Sequence, residues 1–173
     1  MRRMSAVDRV RCPGCGVELP RSGRSYDFKF HASAECWSQF EEVLAREYQN
    51  PVLLGQVHRL TVDAYAVQHA GGAHPDKSVC VHLVGLYLTH EKVVAPSAIV
   101  SLMQRLTRRG EWPHLVPPAD PGTMTVRDVA LAESPQRHAV CVREWAAIVW
   151  RAWSPHHGVA RALVEELAGS TRR

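Results

Sequence analysis

Cys12-Pro13-Gly14-Cys15-Gly16, followed by Cys36, are the residues of this chain best suited to chemistry. Two cysteines two residues apart in a Pro/Gly turn aim two thiolates at one point, and the small residues let backbone amides bend around the sulfurs. That is how a tetrahedral Zn²⁺ site begins. A third thiolate at Cys36 leaves one place to fill. His31 completes a local pattern, Cys-x2-Cys-x15-His-x4-Cys, resembling a zinc knuckle or treble clef whose last cysteine sits at a helix N-terminus. Asp27, or a histidine of the helical body such as His69, is the alternative fourth donor. Four protein ligands make the ion structural; a water in the fourth place makes it catalytic. The competing reading, an isolated Cys12/Cys15 redox pair, wants a βαβ context that the pattern lacks.

A second group of polar residues falls on apolar helical faces. His69 shares a face with Val62, Tyr65 and Ala66, His82 with Val79, Leu83 and Leu86, and His138 with Cys141, Val142 and Trp145, while Asp63 stands beside Leu60 and Val67. Buried polar groups need hydrogen bonds, so Asp63, His69, His82 and His138 are expected to converge. They would form either a structural network or a cleft in which an Asp-oriented histidine acts as general base. Cys80 and Cys141 read as buried small hydrophobes. His156 and His157, adjacent on a helix, diverge by about 100° and make a poor chelating pair. No phosphate-cradling glycine loop and no recognisable nucleophile motif is present.

These residues must be positioned by helices. Residues 1–32 are rich in Pro and Gly and poor in periodic apolar positions, so they need an external staple. Ser33 caps a helix to about Tyr48, and Asn50-Pro51 opens another that runs to about His69, before Gly71-Gly72. Further helices are expected over about 78–91 and 96–110. A Pro-rich loop, 112–122, then crosses the surface or covers a cleft, and Thr125 to Asp128 resembles a capping box. Ser134-Pro135 opens the longest helix. Its second half is apolar nearly all round, with Trp145 and Trp150, so it is expected to be central. Ser154-Pro155 breaks it before a last helix to about residue 168. No strand-length alternating stretch occurs. The class is all-α: five to seven helices in a bundle, residues 37–173, preceded by a zinc-binding segment, residues 1–36.

The 173 residues include 46% hydrophobic side chains, enough for a real core, and carry a formal charge of +4. No apolar run is long enough to cross a bilayer. With five cysteines and no secretory signal, the reading is a reduced, cytoplasmic protein. Within residues 1–30, seven cations (Arg2, Arg3, Arg9, Arg11, Arg21, Arg24, Lys29) stand against three acids, so the whole charge excess sits in the leading segment. Such an arm is either solvated or a patch for nucleic acid or another polyanion.

The blocks Cys-Pro-Gly-Cys-Gly-x-Glu-Leu-Pro (12–20), Thr-Val-Asp-Ala-Tyr-Ala-Val-Gln-His (61–69) and Trp-Ala-x-x-Val-Trp-x-Ala-Trp (145–153) before His156-His157 are similar to those of an uncharacterised bacterial family of small proteins. The resemblance implies a helical fold with a Cys-rich start and no assigned activity. Members carry a histidine near position 27, where this chain has Asp27, and none at 31, which turns attention to Asp27 or a helical histidine as the fourth ligand. Two functions remain. One is a zinc-containing helical enzyme performing proton transfer, or metal-assisted addition or hydrolysis, on a small molecule. The other is a zinc-stapled binding module whose basic arm recognises nucleic acid or a partner protein.

Overall fold

The computed structural model describes residues 8–26 and 29–169, with side chains through 167. Asp27, Arg2 and Arg3 lie outside the described residues. The leading segment forms a hairpin of two three-residue antiparallel strands, β1 (Arg9–Arg11) and β2 (Glu18–Pro20), with Val10 opposite Leu19. Eight helices follow: α1 (Ala34–Tyr48), α2 (Pro51–Gln56), α3 (His58–Gln68), α4 (Asp76–His90), α5 (Pro96–Leu106), α6 (Val126–Ala130), α7 (Pro135–Ala152) and α8 (His157–Gly169). The class is all-α, with a hairpin appended.

The helix starts follow from their capping residues. Ser33 Oγ accepts the amide of Cys36, Asn50 Oδ1 accepts those of Val52 and Leu53, and Ser134 Oγ accepts that of Arg137. Thr125 and Asp128 form the reciprocal capping box, with Asp in the place more often held by Glu. The stretch expected to be one helix from Pro51 to His69 is two. At Val57 the backbone leaves helical geometry (φ −131°), and the chain restarts at His58. The offset keeps Leu53 and Val57 buried while bringing His58 Nδ1 to 2.8 Å from Glu47 Oε2.

Helices α3 and α7 share the centre of the bundle, and α3 is the more deeply buried. Helix α3 packs on α4 and α7 and also touches α1 and α2. From Leu60 to Gln68 only Val62 is not buried. Helix α7 buries His138, Cys141, Trp145 and Trp150 but leaves Val140, Arg143, Glu144 and Arg151 exposed. Thr61, Asp63 and Gln68 lie on α3, and His69 caps its end. Each is buried and bonded. Thr61 Oγ1 donates to Glu47 at 2.5 Å. Gln68 accepts from Trp145 Nε1 and donates to the carbonyls of Pro121 and Met124, pinning the Pro-rich loop. Ala64 and Ala66, both 0% exposed, let neighbouring helices approach on several sides.

Asp63 is packed so tightly that a Cβ on Gly85 of α4 would collide with its carboxylate. Gly55 in α2, by contrast, faces open space. The two glycines should respond oppositely to alanine. Gly85→Ala should lower stability in urea denaturation by about 2–3 kcal/mol, because backbone or carboxylate must shift. Gly55→Ala should raise it by about 0.5–1 kcal/mol through helix propensity. Equal effects would contradict the packing of α3 on α4.

Candidate metal centre

The hairpin turn makes the first half of the site. The Cys12 amide donates to the Val17 carbonyl at 2.8 Å, and the Gly16 amide to the Cys12 carbonyl at 2.9 Å. Gly16 holds φ +76°, a left-handed conformation that favours glycine. Gly14 is needed for space: a Cβ there would strike the His31 carbonyl and come to 2.7 Å from Cδ2 of His69. Helix α1 delivers Cys36 in its first turn, where the positive end of the helix dipole favours a thiolate. Ser22 ties the arm to α1, donating its amide and hydroxyl to Glu35, and these bonds, the amide first, lower the Glu35 carboxyl below its ordinary value.

The C-terminal end of α3 supplies the fourth donor, His69. One ligand atom from each of Cys12, Cys15, Cys36 and His69 lies within 4.8 Å of all the others, and all four residues are buried. The Cys15 and Cys36 sulfurs are 3.7 Å apart, and the Cys36 sulfur is 3.3 Å from His69 Nε2. A Zn²⁺ with sulfur at about 2.3 Å and nitrogen at about 2.0 Å implies tetrahedron edges of about 3.8 and about 3.5 Å. These two separations are close to the edges of a tetrahedral site, and all four ligand atoms lie within 4.8 Å of one another. His69 Nδ1–H donates to the Tyr65 carbonyl at 2.8 Å, which leaves Nε2 as the lone-pair nitrogen facing the sulfurs. Tyr65 Oη points its hydrogen at Cys36 Sγ at 3.8 Å, and the Tyr65 ring stacks between Phe40 and His69.

The electrostatics of these groups call for a cation. Hydrogen bonds from Cys15 and Cys36 hold the Cys12 thiol far below its ordinary value. The same contact with Cys12 pushes Cys15 up to about 12 and Cys36 higher still, with burial adding to both. One thiolate suppresses the ionisation of its neighbours, and only a shared positive ion lets all three ionise together. Burial also raises Tyr65, keeping its phenol a donor.

His31, the local candidate, is not part of the cluster. Its amide donates to the His69 carbonyl at 2.9 Å, while its ring lies against the glycine pair, where a Cβ on Gly72 would come 2.7 Å from His31 Nδ1. Its backbone thus positions the ligand that replaces it. Nor do Asp63, His69, His82 and His138 converge. Asp63 is held by Arg59 at 3.0 Å and by His82 Nδ1 at 2.7 Å. His138 Nε2 donates to Glu47 at 2.8 Å, and Arg46 donates to its Nδ1 at 3.3 Å. His69 serves the metal cluster. The sequence reading missed Glu47, which is 0% exposed and bonds Thr61, His58 and His138. Its signal was a lone acid on the apolar face of α1, in step with Phe40 and Val43. Cys80 and Cys141 are buried as expected, and burial raises Cys80 to about 11. Among the arm's described cations, Arg21 pairs with Asp8, Arg9 bonds the Glu18 carbonyl and Arg24 bonds Ser38.

Fold and site together define a helical protein with a buried Cys₃His centre capable of holding a metal ion. Residues 10–154 match a family described as a family of unknown function (DUF5946), and the chain belongs to that family. No curated protein and no solved structure matches it. Among the described residues no helix is long and apolar enough to cross a membrane.

Cobalt substitution tests the ligand assignment. Co²⁺ bound by three thiolates and an imidazole should give intense tetrahedral d–d bands. His31→Ala should keep them. His69→Ala should shift or abolish them and weaken metal binding by more than about 100-fold, beyond the loss of a merely supporting group. The reverse ranking would return His31 to the site.

Proposed function

We propose that Cys12, Cys15, Cys36 and His69 hold one Zn²⁺ as a structural ion, and that the helical body so clamped binds a small molecule away from the metal. The observation that carries this reading is the closed donor set: four protein ligands, all buried, their ligand atoms all within 4.8 Å of one another. Three thiolates and an imidazole suit zinc among the common divalent ions. With every position taken by protein, the ion supports folding rather than activating water. Its ligands come from the hairpin, α1 and the end of α3, so binding fastens the arm to the central helix.

The other polar candidates support the same division of labour. Asp63 and His138 are 0% exposed and are occupied by Arg59, His82, Glu47 and Arg46. Those pairings support networks that satisfy buried charge, not a reacting group that must meet substrate.

Elemental analysis of the purified chain should find one zinc per molecule. Removing it with a strong chelator, or by Cys12→Ser, should lower the thermal midpoint by about 10 °C or more, as expected for a loss of several kcal/mol in a chain of this size. A metal-free protein that unfolds at an unchanged midpoint would refute the structural ion.

A further inference from the structure

Helix α3 carries a second feature, toward its N-terminal end. An open cleft of about 1100 Å³ lies between α2, α3, the end of α4, the start of α5 and one side of α7. That is about the size, or slightly more, of sites that take a drug-sized molecule, about 300–1,000 Å³. Its walls are largely apolar, with Leu60, Val62 and Ile99 among them. Its ionisable lining groups are Arg59, Arg143, His58 and His90, and neither Asp nor Glu lines it.

The charges resolve group by group. Arg59 forks onto the buried Asp63 through Nε at 3.2 Å and Nη2 at 3.0 Å, so its charge is offset. Among the described residues its Nη1 has no partner. His58 gives Nδ1 to Glu47, leaving Nε2. Arg143 bonds only the neutral Gln56, at 3.3 Å, and forms no ion pair among the described residues. The nearby Glu91 accepts from Trp150 Nε1. One positive charge, that of Arg143, is therefore not held by a carboxylate.

Two further observations fall on the same cleft. His90 Nε2 is buried without a hydrogen-bond partner, a condition that calls for an explanation in a native fold. At the rim Val93 holds φ +50° while 84% exposed, a left-handed conformation that a β-branched residue rarely adopts. Strain of this kind gathers at ligand clamps.

We propose that the cleft binds a small molecule with an apolar body and a single carboxylate, the carboxylate meeting Arg143 and Nη1 of Arg59. A planar guanidinium suits a carboxylate, and low-polarity walls strengthen the contact. With a single positive charge left over, a monoanion matches the cleft better than a phosphate dianion. The inference rests on reading the helical body as a small-molecule binder and is independent of the zinc.

Titration calorimetry on the full-length, metal-loaded protein tests it with three probes of one chain length: octanoate, 1-octanol and octyltrimethylammonium, all below micelle-forming concentrations. Octanoate should bind with one-to-one stoichiometry, about tenfold or more tighter than octanol. Arg143→Gln, an exposed position whose replacement should not disturb folding, should erase that preference and leave octanol affinity unchanged. Val100→Trp, which fills the cleft from a partly exposed position, should abolish binding of both while the thermal midpoint holds. Octanol binding as tightly as octanoate, or the preference surviving Arg143→Gln, would overturn the carboxylate assignment while leaving a small-molecule site. Absence of one-to-one binding by any probe would overturn the cleft as a binding site.

Discussion

Three thiols and an imidazole packed into one buried volume are unstable as a group of like donors. If one thiol ionises, its neighbours are held protonated, and if all ionise, they repel in a medium too apolar to screen them. A divalent cation resolves the conflict. It also explains why a hairpin with three-residue strands exists here: an isolated two-stranded ribbon is marginal in water, and this one buries little beyond Cys12, Cys15 and Leu19. A metal held by the cluster would fasten it to α1 through Cys36 and to α3 through His69. Gly14 shows how close that fastening is, because the turn rests directly on the imidazole.

The same helix that receives the hairpin is also the most deeply buried, and its polar residues follow one rule. Each finds its partner on a different element. Thr61 meets Glu47 of α1, Asp63 meets His82 of α4, Gln68 meets Trp145 of α7 and the 121–124 loop, and the His69 carbonyl accepts the His31 amide of the arm. An apolar α3 would pack in several rotations about its axis with similar energy. A helix with a directional polar bond to each neighbour has one. Burying so many polar atoms is costly unless every bond is made, and Gly85 is the concession that lets Asp63 fit.

Local chemistry in the sequence was legible and long-range pairing was not. Ser33, Asn50, Thr125 and Ser134 announced their helices because a cap is satisfied within three residues of itself. The three cysteines announced the site because turn geometry brings the first two together. The fourth ligand was obscured: His31 is near in sequence and His69 is 33 residues beyond Cys36, and only the path of the chain decides between them. Similarly, the large apolar residues of α7 were legible as core, whereas the burial of Thr61 and Gln68 on α3 depends on partners from other elements, which no single stretch reveals. The break at Val57 followed the same logic, since the stretch after Pro51 to His69 contains no Pro or Gly-Gly stop and the helix divides where tertiary contacts require it.

The Cys₃His cluster and the cleft both draw on α3, at opposite ends. From Arg59 to His69 is ten residues, about 15 Å of helical rise, so an ion held at His69 would not polarise anything bound beside Arg59. What passes between the two ends is mechanical. A metal held by the four ligands would fix the C-terminal end of α3 against the arm, and Gln68 and the Asp63 pair lock its middle. Arg59 and Val62 are then presented to the cleft from a helix that cannot rotate. A site on a rigid, buried helix holds its geometry better than one built on loops. By this route a structural ion, as proposed, would govern how well a distant pocket is formed.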